Sequence, residues 1–203
     1  MCPTVTSTKK AQQSQRTREV LLSKCLLLFS QRGFASTSID DIAHAAGVTK
    51  GAMYWHFKNK NDLFLAMLAR IRQRWQEVVL LPVSNRPTPS AQINHLFDCY
   101  AELLEKSPEI CLFLQQVLLD QHNKRFSAQV AKVFAKTARF IATIIEDGKT
   151  SGSIRTEVDS QAVAHLIIGM LSGASQQAVS ARAHSQRSLI LQAKEMIIDY
   201  LKV

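Results

Sequence analysis

Residues 33–64 read GFASTSIDDIAHAAGVTKGAMYWHFKNKNDLF, and the fold is decided inside them. Ser38 can cap a helix with Asp41 three residues on, a reciprocal arrangement that satisfies two orphan N–H groups of the first turn. Ile39, Ile42, Ala43 and Ala46 then line one face, and Gly47 supplies a left-handed stop after barely two turns. Val48 points back to that face. Thr49 caps a second short helix, and Asn59 with Asp62 caps a third that runs on through Trp75 to about Leu80. Two short helices joined by Gly-Val-Thr make a helix-turn-helix pattern. Upstream, residues 15–32 put Leu21, Cys25, Leu28 and Phe29 on one helical face and stop at Gly33.

The second short helix crowds Tyr54, Trp55, His56 and Phe57 into consecutive positions. Neighbouring helical positions diverge by about 100°, so the four rings cannot share a face. Met53 and Phe57, four apart, read as core. A helix that reads DNA needs small residues where its backbone nears the bases and donors at its flanks for phosphates, and residues 49–60 have both. Thr49, Lys50, Gly51 and Ala52 form the first turn, where backbone N–H groups attract phosphate. Lys50 can donate to guanine edges and Ala52 can touch a thymine methyl. Tyr54 and His56 carry ring-borne donors, Lys58 and Lys60 add charge, and Thr37 and Ser38 stand where a neighbouring phosphate would pass.

Charge distribution points the same way. Of a formal net charge of +9, residues 1–60 hold nine Lys/Arg against three Asp/Glu, so most of the excess sits in less than a third of the chain. With 203 residues and 46% hydrophobic composition there is material for a sizeable core. Cys2, Cys25, Cys99 and Cys111 show neither CxxC nor metal-ligand spacing, so reduced thiols and no metal are expected. The N-terminal residues have no apolar signal region, and the early apolar run at residues 25–29 is far below the ~20 residues of a membrane span. The expectation is a cytoplasmic protein without a membrane segment, whose residues 1–14 form a flexible polar tail.

The rest of the chain keeps helical periodicity, with no alternating run of strand type, so the fold class is all-α. The proline-rich stretch 82–90 reads as a linker or sharp turn. Beyond it, Ile93, Leu96, Phe97, Tyr100 and Leu104 share a face. The helix opened by Ser107-Pro108 is apolar nearly all round. A long amphipathic helix follows through Ile144 and Ile145, then a helix capped by Asp159, then a last one burying Leu189, Ile190, Ala193 and Ile197, with Tyr200 a further candidate.

The block 33–64 resembles the N-terminal domain of TetR-family transcriptional regulators, and GVTKGAMYWHFKNKNDLF resembles most the branch of acriflavine-resistance-type efflux repressors. The resemblance covers about fifty residues. It implies a three-helix DNA-binding head at residues 15–60, a ligand-binding and dimerisation body at residues 61–203, and about nine helices in total. It further implies that Lys50, Gly51 and Ala52 face bases, that Tyr54, His56 and Lys60 contact phosphate, that Thr37 or Ser38 touches the backbone, and that Trp55 is exposed near the DNA. Asp40 and Asp41 set negative charge nearby; Asp41 has a capping reason, whereas Asp40 must point aside or cost affinity. Without glutamine or arginine at the reading positions, readout leans on Lys50, His44 and DNA shape.

In the body, a pocket needs apolar walls and a few polar groups, and the candidates are Phe97, Tyr100, Phe113, Gln116, Phe134 and His165. Helical spacing alone also explains the phenylalanines as core. Dimerisation through the last two long helices, as the resemblance implies, would use Leu166, Gly169, Leu171, Ser172, Gly173, Ile190 and Ile197. The functional expectation is a homodimeric repressor on a palindromic double-stranded DNA operator, released by a small apolar or amphipathic effector, with efflux or stress-response genes as targets the resemblance points to. A ligand-independent or partner-controlled regulator with the same head is the rival. No cofactor is called for, and no catalytic set or phosphate loop marks an enzyme.

Overall fold

The structure, a computed structural model, describes residues 5–119, 124–177 and 183–203. Among them it is helical throughout, with no strand. The helices are α1 (Val5–Arg32), α2 (Ile39–Ala46), α3 (Lys50–His56), α4 (Lys60–Trp75), α5 (Pro89–Lys106), α6 (Pro108–Leu119), α7 (Lys124–Thr150), α8 (Ser160–Gln177) and α9 (Ala183–Leu201). After α4 the helical path continues without a break through a π-helical segment, Gln76–Leu80, and a last turn, Leu81–Ser84. Two compact units result, one ending at Ile71 and the other beginning at Arg72, rather than the division at 60/61 that the motif alone indicates.

The first unit is a head built on one apolar centre. Leu21, Leu22, Cys25 and Phe29 of α1, Ile42 and Ala43 of α2, Met53 of α3, Phe57, and Leu63, Phe64 and Met67 of α4 are buried together in it. Phe34 meets Phe29 and Phe64 edge-on at centroid distances of 5.2 and 5.5 Å, the arrangement favoured by the ring quadrupoles. Gly33 and Gly47 adopt φ of +79° and +67°, the left-handed stops read from the sequence. Arg70 ties α4 to α1, its Nε 3.0 Å from a Glu19 carboxylate oxygen and its Nη1 donating to Ser23 Oγ at 3.0 Å. Helix α1 begins at Val5 rather than at residue 15. Residues 9–14, KKAQQS, are mainly strong helix formers, so the helix runs on by propensity where a polar tail is expected.

The second unit has its own core, made by Val79, Val83, one face of α5, and the inner faces of α7, α8 and α9. Pro82 lies inside the helical run, so the expected linker shrinks to residues 85–88. The physical reason is the π turn before it: the widened turn relieves the clash of the proline ring with the preceding helix and shifts the hydrogen-bond register, Leu81 N–H donating to Gln76 O. Several buried polar side chains in this unit have partners. Tyr100 Oη and Ser175 Oγ lie 2.5 Å apart, and Gln115 Nε2 donates to Ser172 O at 2.6 Å.

Close packing fixes one glycine in this unit. A Cβ at Gly148 would lie 2.4 Å from Ile154 Cδ1 and 2.7 Å from its Cγ1. Gly148→Ala therefore lowers unfolding stability by about 1–3 kcal/mol through overpacking, read as a shift of the urea midpoint, and adding Ile154→Val recovers part of the loss.

Candidate nucleic-acid interface

The surface begins with how two short helices are held. At α2, Asp41 N–H donates to Ser38 Oγ (3.0 Å) while Ser38 N–H donates to Asp41 Oδ2 (2.8 Å), the reciprocal box expected from the sequence. The Ser38 bonds hold the Asp41 carboxyl below the usual carboxylate range. At α3, Ala52 N–H donates to Thr49 Oγ1 at 3.2 Å, and Phe57 N–H closes the helix on Met53 O. Met53 and Phe57 are fully buried, 0% and 3% exposed, which sets the rotation of the helix about its axis.

With that rotation fixed, Thr49, Lys50, Gly51, Tyr54 and Trp55 are exposed, and Ala52 and His56 are half-buried. Trp55 stands out most, 72% exposed, with its ring edge-on to His56 at 4.7 Å. Burial first, and the positive charge of Arg18 second, push His56 below the ordinary histidine range. Arg18 itself lies over the Phe57 ring, 5.2 Å from its centroid. Lys58 and His44 are exposed. Lys50 Nζ sits 2.9 Å from both carboxylate oxygens of Asp40, and this pairing raises the lysine's proton affinity.

Two expected phosphate donors are turned to other work. Thr37 is buried, its hydroxyl donating to Gly33 O at 2.9 Å, which leaves Ser38 as the exposed residue of that pair. Lys60 folds back onto the head: Nζ donates to Ala35 O at 3.3 Å and lies 4.2 Å from the Phe34 centroid, and burial lowers its proton affinity. Reaching a phosphate would mean giving up the hydrogen bond to Ala35 O and the contact with the ring.

In the body, Phe97, Tyr100 and Phe113 are buried and Phe134 is half-buried. Gln116 is exposed and Gln115 is the inward amide; His165 is exposed, bonded to Gln161 O at 2.7 Å. Both corrections have one cause, since α6 and α8 are apolar nearly all round and give no periodic signal to fix which side faces in. Leu171, Ile190 and Ile197 belong to the chain's own core, so they offer no surface to a second copy. Ser172 and Gly173 are half-buried, while Leu166 and Gly169 are exposed. Sequence reasoning puts Leu189 and Tyr200 inside with Ile190, Ala193 and Ile197, but the latter three take the inward face of α9 and leave Leu189, Met196 and Tyr200 as an apolar stripe at i, i+7, i+11 spacing, exposed by 38%, 66% and 47%. It also passed over Trp75, whose Nε1 is buried and has no hydrogen-bond partner among the described residues, with its ring 6.2 Å from that of Tyr100.

Comparison with known proteins agrees with this geometry. Residues 21–67 match the family described as bacterial regulatory proteins, tetR family, and residues 89–193 match the tetracyclin repressor-like C-terminal domain. The HTH-type transcriptional regulator AcrR of Shigella flexneri is 59% identical over 56 residues, 28% of this chain and 26% of that protein. The match to AcrR thus spans about a quarter of that relative's length. The nucleoid occlusion factor SlmA of Actinobacillus pleuropneumoniae is 27% identical over 173 residues, 84% of each chain. A crystal structure of a TetR transcriptional regulator from Chloroflexus aurantiacus superposes with a TM-score of 0.79 at 26% identity, covering 93% of this chain and 96% of that one. With a head match across the helix-turn-helix and a body match over more than half its length, this chain belongs to the TetR family.

Proposed function

We propose that this chain is a DNA-binding transcriptional repressor that works as a homodimer on a palindromic operator and is released by a small apolar or amphipathic effector. The observation that carries the reading is the two-sidedness of α3. Its inner residues Met53 and Phe57 lock it to the head, and its outer residues Thr49, Lys50, Gly51 and Tyr54 present small groups and donors of the kind that enter a major groove. The reading is of a regulator in the cytoplasm rather than an enzyme, in line with the transcriptional regulators it resembles. Among the described residues no helix is long and apolar enough to cross a membrane.

For the dimer, the exposed apolar residues of α8 and α9, Leu166, Leu189, Met196 and Tyr200, supply area and Gly169 a close approach. For the effector, the neighbourhood of Trp75 and Tyr100 is the favoured seat, because an indole N–H without a partner among the described residues leaves about 1–3 kcal/mol that an acceptor-bearing ligand regains. An effector acts by preferring a dimer whose two reading helices no longer match grooves one turn, ~34 Å, apart. The whole-length likeness to a nucleoid occlusion factor favours a second reading, control without a ligand; operator affinity unmoved by any amphipathic competitor selects it.

Selection of bound duplexes from random DNA yields a palindrome under this reading, and recovery of none contradicts it. On the selected site, Lys50→Ala weakens binding about 5- to 100-fold and Tyr54→Phe about 2- to 10-fold with melting temperature unchanged. In a Trp75→Phe background, Trp55 emission reports the binding.

Met196→Glu buries a charge in the proposed interface, so sedimentation equilibrium shows monomers and operator affinity falls, while far-ultraviolet circular dichroism keeps its helical signal.

His56 supplies a pH test. Its folded-state pKa is depressed, so below the ordinary histidine value of about 6.5 the unfolded chain binds the proton first. Stability contributed by neutral His56 is therefore present at pH 7 and declines as pH falls through that window. A His56→Gln variant flattens this part of the stability profile, measured by urea unfolding between pH 5 and pH 7.5.

A further inference from the structure

We infer that Asp40 is a specificity-determining residue of the DNA-reading surface, cancelling the charge of Lys50 towards phosphates and reading a G·C pair together with it. The inference rests on the DNA-binding reading above. Asp40 lies in the first turn of α2 and Lys50 opens α3, so the pair bridges the two helices of the motif. Lys50 Nζ is 2.9 Å from both Oδ1 and Oδ2, and the side chains are 59% and 63% exposed, so the pair stands on the surface that carries Thr49 and Tyr54. The neighbouring acid, Asp41, is taken up by the cap of α2, whereas Asp40 pairs with Lys50.

Stability does not account for the pair, since an exposed ion pair contributes about 0–1 kcal/mol. Its effect on DNA is larger. A cation that neutralises a phosphate releases counterions, and this sequence-independent attraction dominates non-specific binding. A lysine held by a carboxylate brings no net charge to the backbone, and reaching a phosphate means breaking the pair. A G·C pair, by contrast, shows two adjacent acceptors, guanine N7 and O6, beside the cytosine N4 donor. The ammonium can donate to the first two while the carboxylate accepts from the third, and the ion pair survives. An A·T pair sets the adenine N6 donor between its two acceptors, where the ammonium meets a donor instead.

The test uses the full-length protein. Duplex selection and salt titration are run on wild type, Asp40→Asn and Asp40→Glu, with melting temperature as the folding control. Wild type and Asp40→Glu select a palindrome with a G·C pair at one position of each half-site. Asp40→Asn binds random-sequence DNA several-fold more tightly at low salt, its log–log salt slope steepens by about 0.9 per protomer, and its preference at that position relaxes. If wild type selects a palindrome and Asp40→Asn gives the same profile and slope, the role of Asp40 is overturned and the DNA-binding reading stands. If wild type selects no palindrome, both fall.

Discussion

Helix α3 has seven residues, and a helix so short has no stability of its own in water, so the exposed face proposed to read DNA exists only because Met53 and Phe57 are buried in the head. Two buried residues four apart fix both the position and the rotation of the helix. Once they are inside, Lys50, Gly51 and Tyr54 have no choice of direction, and Trp55 is pushed furthest into solvent. The caps serve the same constraint. Ser38 with Asp41 and Thr49 with Ala52 satisfy first-turn N–H groups that helices of seven and eight residues cannot leave open.

The head was legible from its sequence because its signals are local and redundant. Capping side chains, left-handed glycines and a clean i, i+4 pair each mark a boundary or a face, and they agree with one another. Legibility fails where a pattern has no phase. Helices α6 and α8 are apolar on most sides, so spacing puts Gln116 inward where Gln115 sits and His165 in a pocket where it is exposed, while Leu171 of α8 and Ile190 and Ile197 of α9 fill the chain's own core. The opposite failure is α1, whose first turns are polar all round and carry no sign that distinguishes an exposed helix from coil. Thr37 and Lys60 were misplaced for a third reason. Thr37 turns its hydroxyl back to Gly33 O four residues upstream, and Lys60 reaches Ala35 O across the head, contacts that the helical spacing of apolar residues does not encode.

Charge adds a second layer to the same surface. The N-terminal third carries most of the chain's positive excess, which draws it to any polyanion. Attraction of that kind does not distinguish sequences, and the cations nearest the groove are tempered individually. Lys50 is paired with Asp40, Lys60 is folded back over the Phe34 ring, and burial holds His56 below the ordinary histidine range. The exposed residues that the proposed reading leaves for bases and backbone are few and mostly uncharged, which under that reading shifts discrimination towards shape and groove-edge contacts.

The central claim is that α3 enters the major groove of two half-sites. Methylation interference at guanine N7 on the duplex selected by the native protein tests it most directly, because N7 lies in the major groove alone. The account predicts interference at two clusters of guanines about one helical turn, ~34 Å, apart and related by the symmetry of the site. Binding that is indifferent to N7 methylation at every guanine of the site would contradict it.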